Sequence, residues 1–299
     1  MSNIHYRGLL TLDKAILVGY AIFVVFSSCR IALKKKEQSS EAQGVADDFV
    51  FFGKKANKII VAISLVSGLL SGVTFLGLPA YTYANGSGMA FTAIGTVVGN
   101  YVASKLTLPF FSKLKLKTPY EYIELRFGYF LRVTCALCFC FRSSLYIAVV
   151  MQAPAKILYI LCGMQPWLTC LICIAFSTII TAKGGMGVVV YTDFIQSIAL
   201  VIGVIFSLCL AIISLDEVNK ADAPLNFRLH GGNFFSITNL SGDNFWFFII
   251  GNSYAQLMYG TDQIAVQRLL STKNLSSAQF ANNITGVLSA IVVVLCSLV

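Results

Sequence analysis

The stretch SGLLSGVTFLGLPAYTYANG, residues 67–86, decides how this chain is read. It ends a long apolar run, yet it holds glycines at 68, 72 and 77, a proline at 79, and the hydroxyls of Ser67, Ser71 and Thr74. A helix in lipid must satisfy its backbone polar groups internally, because the hydrocarbon offers no water to do so. Pro79 lacks an N–H and its ring clashes with the carbonyl four residues back, so the carbonyl of Phe75 is expected to leave the helical ladder. Gly72 and Gly77 ease local unwinding. Two readings follow. The helix is broken so that its freed carbonyls ligate a cation and its half-helix N-terminus faces an anion. Alternatively, the proline makes a simple kink and the small residues allow close helix packing. The composition of the stretch does not choose between them.

The surrounding chain is that of a membrane protein. Of its 299 residues 57% are hydrophobic and only 12% charged, and the mean hydropathy is +0.77. A soluble domain of that apolarity would lack the polar surface to cover itself. Apolar runs near the ~20 residues that cross a bilayer recur along the chain. Eight spans are expected, at roughly 12–33, 59–83, 88–111, 129–153, 167–182, 187–213, 244–266 and 282–299. No secretory signal precedes the first, which is therefore expected to belong to the mature protein.

Lys and Arg in the connections orient these spans. An external N-terminus places Lys34–Lys36, Lys54, Lys55 and Lys58 of loop 34–58 in the cytoplasm, with the basic residues of loop 112–128, Lys183, Arg268 and Lys273. Loop 214–243 then lies outside, where Asn239 begins an NLS sequon. The net charge of +9 follows from this bias, which also suits anionic headgroups of the lipid bilayer, and gives no reason to invoke nucleic acid. The cysteines fall in or beside apolar runs, and CLIC at 170–173 has no His or acidic cluster with it, so they read as buried hydrophobes.

The seventh span repeats the opening theme: GNSYAQLMYGTDQIAVQRLL, 251–270, sets Gly251, Gly260 and many polar residues in an apolar frame. In inverted five-plus-five transporters the first helix of each repeat is the broken one. Spans two and seven have that spacing if the first span is an extra.

Four segments carry a resemblance. SGVTFLGLPAYTYANG, KTPYEYIELRFGYFLR, TAKGGMGVVVYTDFIQ and YGTDQIAVQRLLSTKN resemble signature segments of the solute:sodium symporter family, in that family's order and spacing. TPYEYIELRF and YGTDQIAVQR look closest to its animal monocarboxylate, multivitamin and iodide cotransporters. The resemblance implies an all-α, polytopic, partial LeuT-like inverted-repeat fold with an extra N-terminal helix. Residues 1–299 would form one transmembrane domain: 12–33 the extra span, 59–213 the first five-helix repeat, and 244–299 the first two helices of the second. It implies sodium-coupled symport of a small organic or inorganic anion by alternating access, with Na+ as coupling ion, in the plasma membrane. Family members have thirteen or so spans, and the ninth, which supplies hydroxyl partners for sodium, is not within these residues. A fragment or a natural short form that has lost half its site are both implied.

By the same resemblance the backbone carbonyls of Ser67 and Leu70 would face sodium, as suits a hard cation, with Asp193 of YTDFIQ near them. Asp193 also reads simply as an acid near a helix start at Gly187. Ser71, Thr74, Tyr254 and Gln256 would line the substrate cavity, and Met258 falls where some members carry a gating Tyr. Arg142 is the one basic residue in mid-span, over ten residues from either end, and a charge there is costly unless paired or wetted. It is expected to attract an anionic substrate or to pair with a buried carboxylate. His5 and His230 read as solvated external residues. Two rival classes remain. An enzyme would need a nucleophile–base or metal set at one depth, and none is found. A non-transporting sensor or assembly protein would keep the scaffold alone.

Overall fold

A computed structural model describes residues 56–114, 116, 118–220, 234–236 and 244–298, with 15, 16, 18–20, 22–27 and 30. The described part of the expected 12–33 span is helical; the rest of that span, loop 34–55, His5, His230 and the Asn239 sequon lie outside the described residues. The helices are α1 (Lys58–Leu69), α2 (Gly72–Asn85), α3 (Thr92–Leu114), α4 (Pro119–Phe127), α5 (Tyr129–Cys162), α6 (Pro166–Lys220), α7 (Asn252–Tyr259), α8 (Gln263–Leu270) and α9 (Leu275–Leu298). A 3-10 turn, Ser87–Phe91, precedes α3, and a π turn, Phe247–Gly251, precedes α7. An isolated bridge between Ala56 and Thr272 is the only strand-like pairing among the described residues.

Among the described residues, three helices are long and apolar enough to cross a bilayer: Tyr129–Ile160, Pro166–Ile213 and Leu275–Leu298. α1 and α2 pass together as one span bent by 56°. α3 is 23 residues long but sets Thr96, Asn100 and Ser104 on its buried face. The 48-residue apolar part of α6 would be about 72 Å long if straight, more than twice a hydrocarbon core. Its ladder breaks at Gly185, whose φ of 59° is open to glycine at little cost. The break falls between the spans expected at 167–182 and 187–213, although no loop separates them. The last span begins at Leu275 rather than 282, because Asn274 caps Ser277 and starts the helix early.

The chain divides into two compact units, Met1–Gly53 with Ile123–Thr192, and Lys54–Tyr122 with Asp193–Val299. The expected first repeat, 59–213, thus contributes to both. In the first unit α4 and α5 meet at Gly128, which sits at φ 93°, and Arg132 pairs with Glu124 across that turn. Pro119 starts α4, where its missing N–H is an orphan in any case. In the second unit α1, α2, α9 and the second half of α6 share a core of Val66, Leu70, Leu78, Val204, Ala290 and Val293. Thr285 of α9 donates to the carbonyl of Ala62 at 3.0 Å, and Ser197 of α6 donates to that of Ile63 at 2.6 Å. These bonds clamp α1 from two sides, just ahead of the break.

Candidate cation site at the broken helix

The break lies at Leu70–Ser71, not at Pro79. Leu70 and Ser71 are extended, at φ −111°, ψ 125° and φ −122°, ψ 175°. Pro79 sits eight residues further on, inside α2. What stops α1 is a capping box. Ser71 Oγ accepts from the N–H groups of Val73 and Thr74, and Ser71 N–H donates to Thr74 Oγ1 at 3.3 Å. Such a box satisfies the donors at a helix start.

The same box explains why carbonyls are released. The last bond of α1 runs from Leu70 N–H to Val66 O at 2.8 Å. A continuing helix would bond the carbonyls of Ser67, Leu69 and Leu70 to the N–H groups of Ser71, Val73 and Thr74. All three donors are instead committed to the side chains of Ser71 and Thr74. The C-terminal end of α1 is therefore a cluster of carbonyls carrying the negative end of a helix dipole. The facing end of α2 has its donors largely filled. As built, the break suits a cation more than an anion, and oxygen donors suit a hard one. This geometry brings together Ser67, Leu70, Ser71 and Thr74, with the two hydroxyl residues as the cap that opens the site.

The other expected residues are placed differently. Gln256 on α7 accepts from Asn100 Nδ2 of α3 at 3.4 Å. Tyr254, two residues away and on the opposite side of α7, is 62% exposed. Arg142 is exposed on α5 in the first unit, its guanidinium 5.4 Å from the Phe139 ring.

Asp193 is not a lone carboxylate. Its Oδ2 lies 2.7 Å from Nη2 of Arg268, the two side chains being 18% and 8% exposed. Arg268 Nη1 donates to Ser64 O at 2.9 Å and to Ser64 Oγ at 3.2 Å. Arg268 was expected among the cytoplasmic loop charges; it is instead a buried partner on α8. The pattern QIAVQRLL, buried at Ala265, Val266, Arg268 and Leu269, puts the arginine on an apolar helix face. That was the available signal.

A helix pair bent by 56° at a break, with an opened carbonyl end in an apolar frame, is the kind of interrupted helix that secondary transporters use. The chain belongs to the sodium:solute symporter family, whose profile matches residues 49–299. It is 32% identical over 246 residues to a putative sodium-dependent multivitamin transporter of Drosophila melanogaster, covering 80% of this chain and 40% of that protein. It is 29% identical to sodium-coupled monocarboxylate transporter 1 of Mus musculus, covering 90% and 42%, and 29% identical to the sodium/iodide cotransporter of Homo sapiens, covering 80% and 38%. The chain thus spans about two fifths of the curated relatives it matches. A solved Na+-coupled sialic acid symporter, in a substrate-bound outward-open state, superposes with a TM-score of 0.72 at 22% identity, covering 95% of this chain and 59% of that one. The fold class is accordingly all-α and LeuT-like, as the resemblance implied, and the family is one of transporters.

Proposed function

We propose that this chain carries out, or forms part of a protein that carries out, sodium-coupled symport of a small anion of the monocarboxylate, vitamin or iodide kind. It works by alternating access in the plasma membrane with its N-terminus outside. The observation that carries this reading is the opened carbonyl end of α1, created by the Ser71–Thr74 box. The carbonyls of Ser67 and Leu70 ligate sodium, and Asp193 adds negative charge nearby. Ser71, Thr74, Tyr254 and Gln256, all in the second unit, are the side chains assigned to the anionic substrate.

Binding of radioactive sodium to the purified chain in nanodiscs tests the cation half directly, without knowledge of the substrate. Saturable binding displaced by unlabelled sodium and not by potassium is expected. An absence of saturable binding would overturn the reading. Uptake of labelled lactate, biotin and iodide into proteoliposomes, with and without a sodium gradient, then sorts the substrate class.

A further inference from the structure

The residue this function leaves unexplained is Arg268. It is a buried cation of the second unit, it reaches from α8 to α1, and it pairs with Asp193 while bonding the Ser64 carbonyl. We propose that Arg268 is a positioning residue that sets the field at the cation site. Its guanidinium anchors α1 through Ser64 and opposes sodium, while Asp193 cancels most of that opposition.

Three observations carry the proposal. The first is reach. Arg268 Nη1 bonds Ser64 O and would lie 3.4 Å from a Cβ added at Gly68. The carbonyls of Ser67, Leu69 and Leu70 follow Ser64 by three to six residues, or about 5–9 Å along a helix axis. A full positive charge at that range changes cation affinity by at least about tenfold at an effective dielectric constant near 20. The second is stoichiometry. In the Arg268–Asp193 pair one carboxylate faces one guanidinium, so either neutralisation leaves one uncompensated charge of known sign. The third is fit. Arg268 uses Nη1 and Nη2 on Ser64 and Asp193, while its buried Nε has no hydrogen-bond partner. A side chain present only to hold two helices together would be expected to leave no buried donor unmet.

The proposal rests on the sodium reading above, and its test separates the two. Sodium binding is measured in nanodiscs for the unaltered chain, Arg268→Gln, Asp193→Asn, the double variant and Arg268→Lys, with melting temperatures in parallel. Arg268→Gln is expected to tighten sodium by at least about tenfold and Asp193→Asn to weaken it by about as much. The double variant is expected near the unaltered value, and so is Arg268→Lys, which keeps the charge. If Arg268→Gln does not fold, its effect is read as the difference between Asp193→Asn and the double variant, where tightening is again expected. Weakening of sodium by both single variants, in proportion to their loss of thermal stability, would mean the pair is only structural and would overturn the proposal. No sodium binding by the unaltered chain would overturn the functional reading and this proposal with it. Binding with same-sign changes overturns this proposal alone.

Discussion

Gly68, Gly72 and Gly77 stand within ten residues of one another, and only Gly68 is packed. A Cβ there would lie 3.0 Å from the Tyr259 hydroxyl and 3.4 Å from Arg268 Nη1, whereas one at Gly72 or Gly77 meets nothing within 4 Å. Gly68→Ala is therefore expected to lower the melting temperature, at about 1–3 kcal/mol for overpacking. Gly77→Ala, inside α2, is expected to raise it by about 0.5–1 kcal/mol through helix propensity and a less free unfolded chain. Thermal melts of the two variants check this, and equal shifts would remove the distinction. In the sequence Gly72 and Gly77 carry the same meaning and Gly68 none of its own, because packing against Tyr259 and Arg268 depends on residues about 200 positions away. Arg268 is hidden for the same reason. Its burial depends on Asp193, so counting charges along the chain assigns it to a loop.

At the scale of elements, the existence of the broken helix was legible, but its cause was not. Glycine and proline are strong local signals, and they drew the break towards Pro79. Ser71 and Thr74 look like incidental hydroxyls beside the glycines, although the spacing of a cap and its third residue is itself a start signal for a helix. Two substitutions separate the causes. Ser71→Ala removes the acceptor for Val73 and Thr74 N–H, costs about 1 kcal/mol as a lost cap, and frees those donors to recapture the carbonyls of Leu69 and Leu70. Sodium affinity is expected to fall several-fold. Pro79→Ala restores a donor to Phe75 O within α2 and is expected to leave sodium affinity unchanged. Sodium titrations of both variants decide the matter. A loss at Pro79→Ala with none at Ser71→Ala would return the break to the proline.

Across the second unit, α3, α7 and α9 are joined by a polar seam. Asn252 of α7 donates to Thr92 O at 2.6 Å and to Thr96 Oγ1 at 2.8 Å. Asn282 of α9 donates to Asn100 O at 2.7 Å, and Gln279 to Ser104 O at 2.8 Å. The sequence carried a signal for this in G-x-x-x-G at Gly95 and Gly99, a pattern that lets backbones approach closely in lipid. The seam can owe its strength to the hydrogen bonds or to the approach itself, and magnitudes choose the latter. Interhelical hydrogen bonds in membranes average about 0.6 kcal/mol, because the unfolded state in lipid also finds partners. Forcing a methyl into a closed contact costs about 1–3 kcal/mol or more. At Gly99 a Cβ would collide with the Ser253 carbonyl and lie 2.6 Å from Gln256 Cβ, and neither backbone can retreat without parting α3 from α7. Gly99→Ala is thus expected to destabilise the protein more than Asn252→Ala, although it adds one carbon and removes no hydrogen bond. Melting temperatures of the two purified variants in one detergent give the order. If Asn252→Ala melts first, the polar bonds hold the seam together and the close approach follows from them.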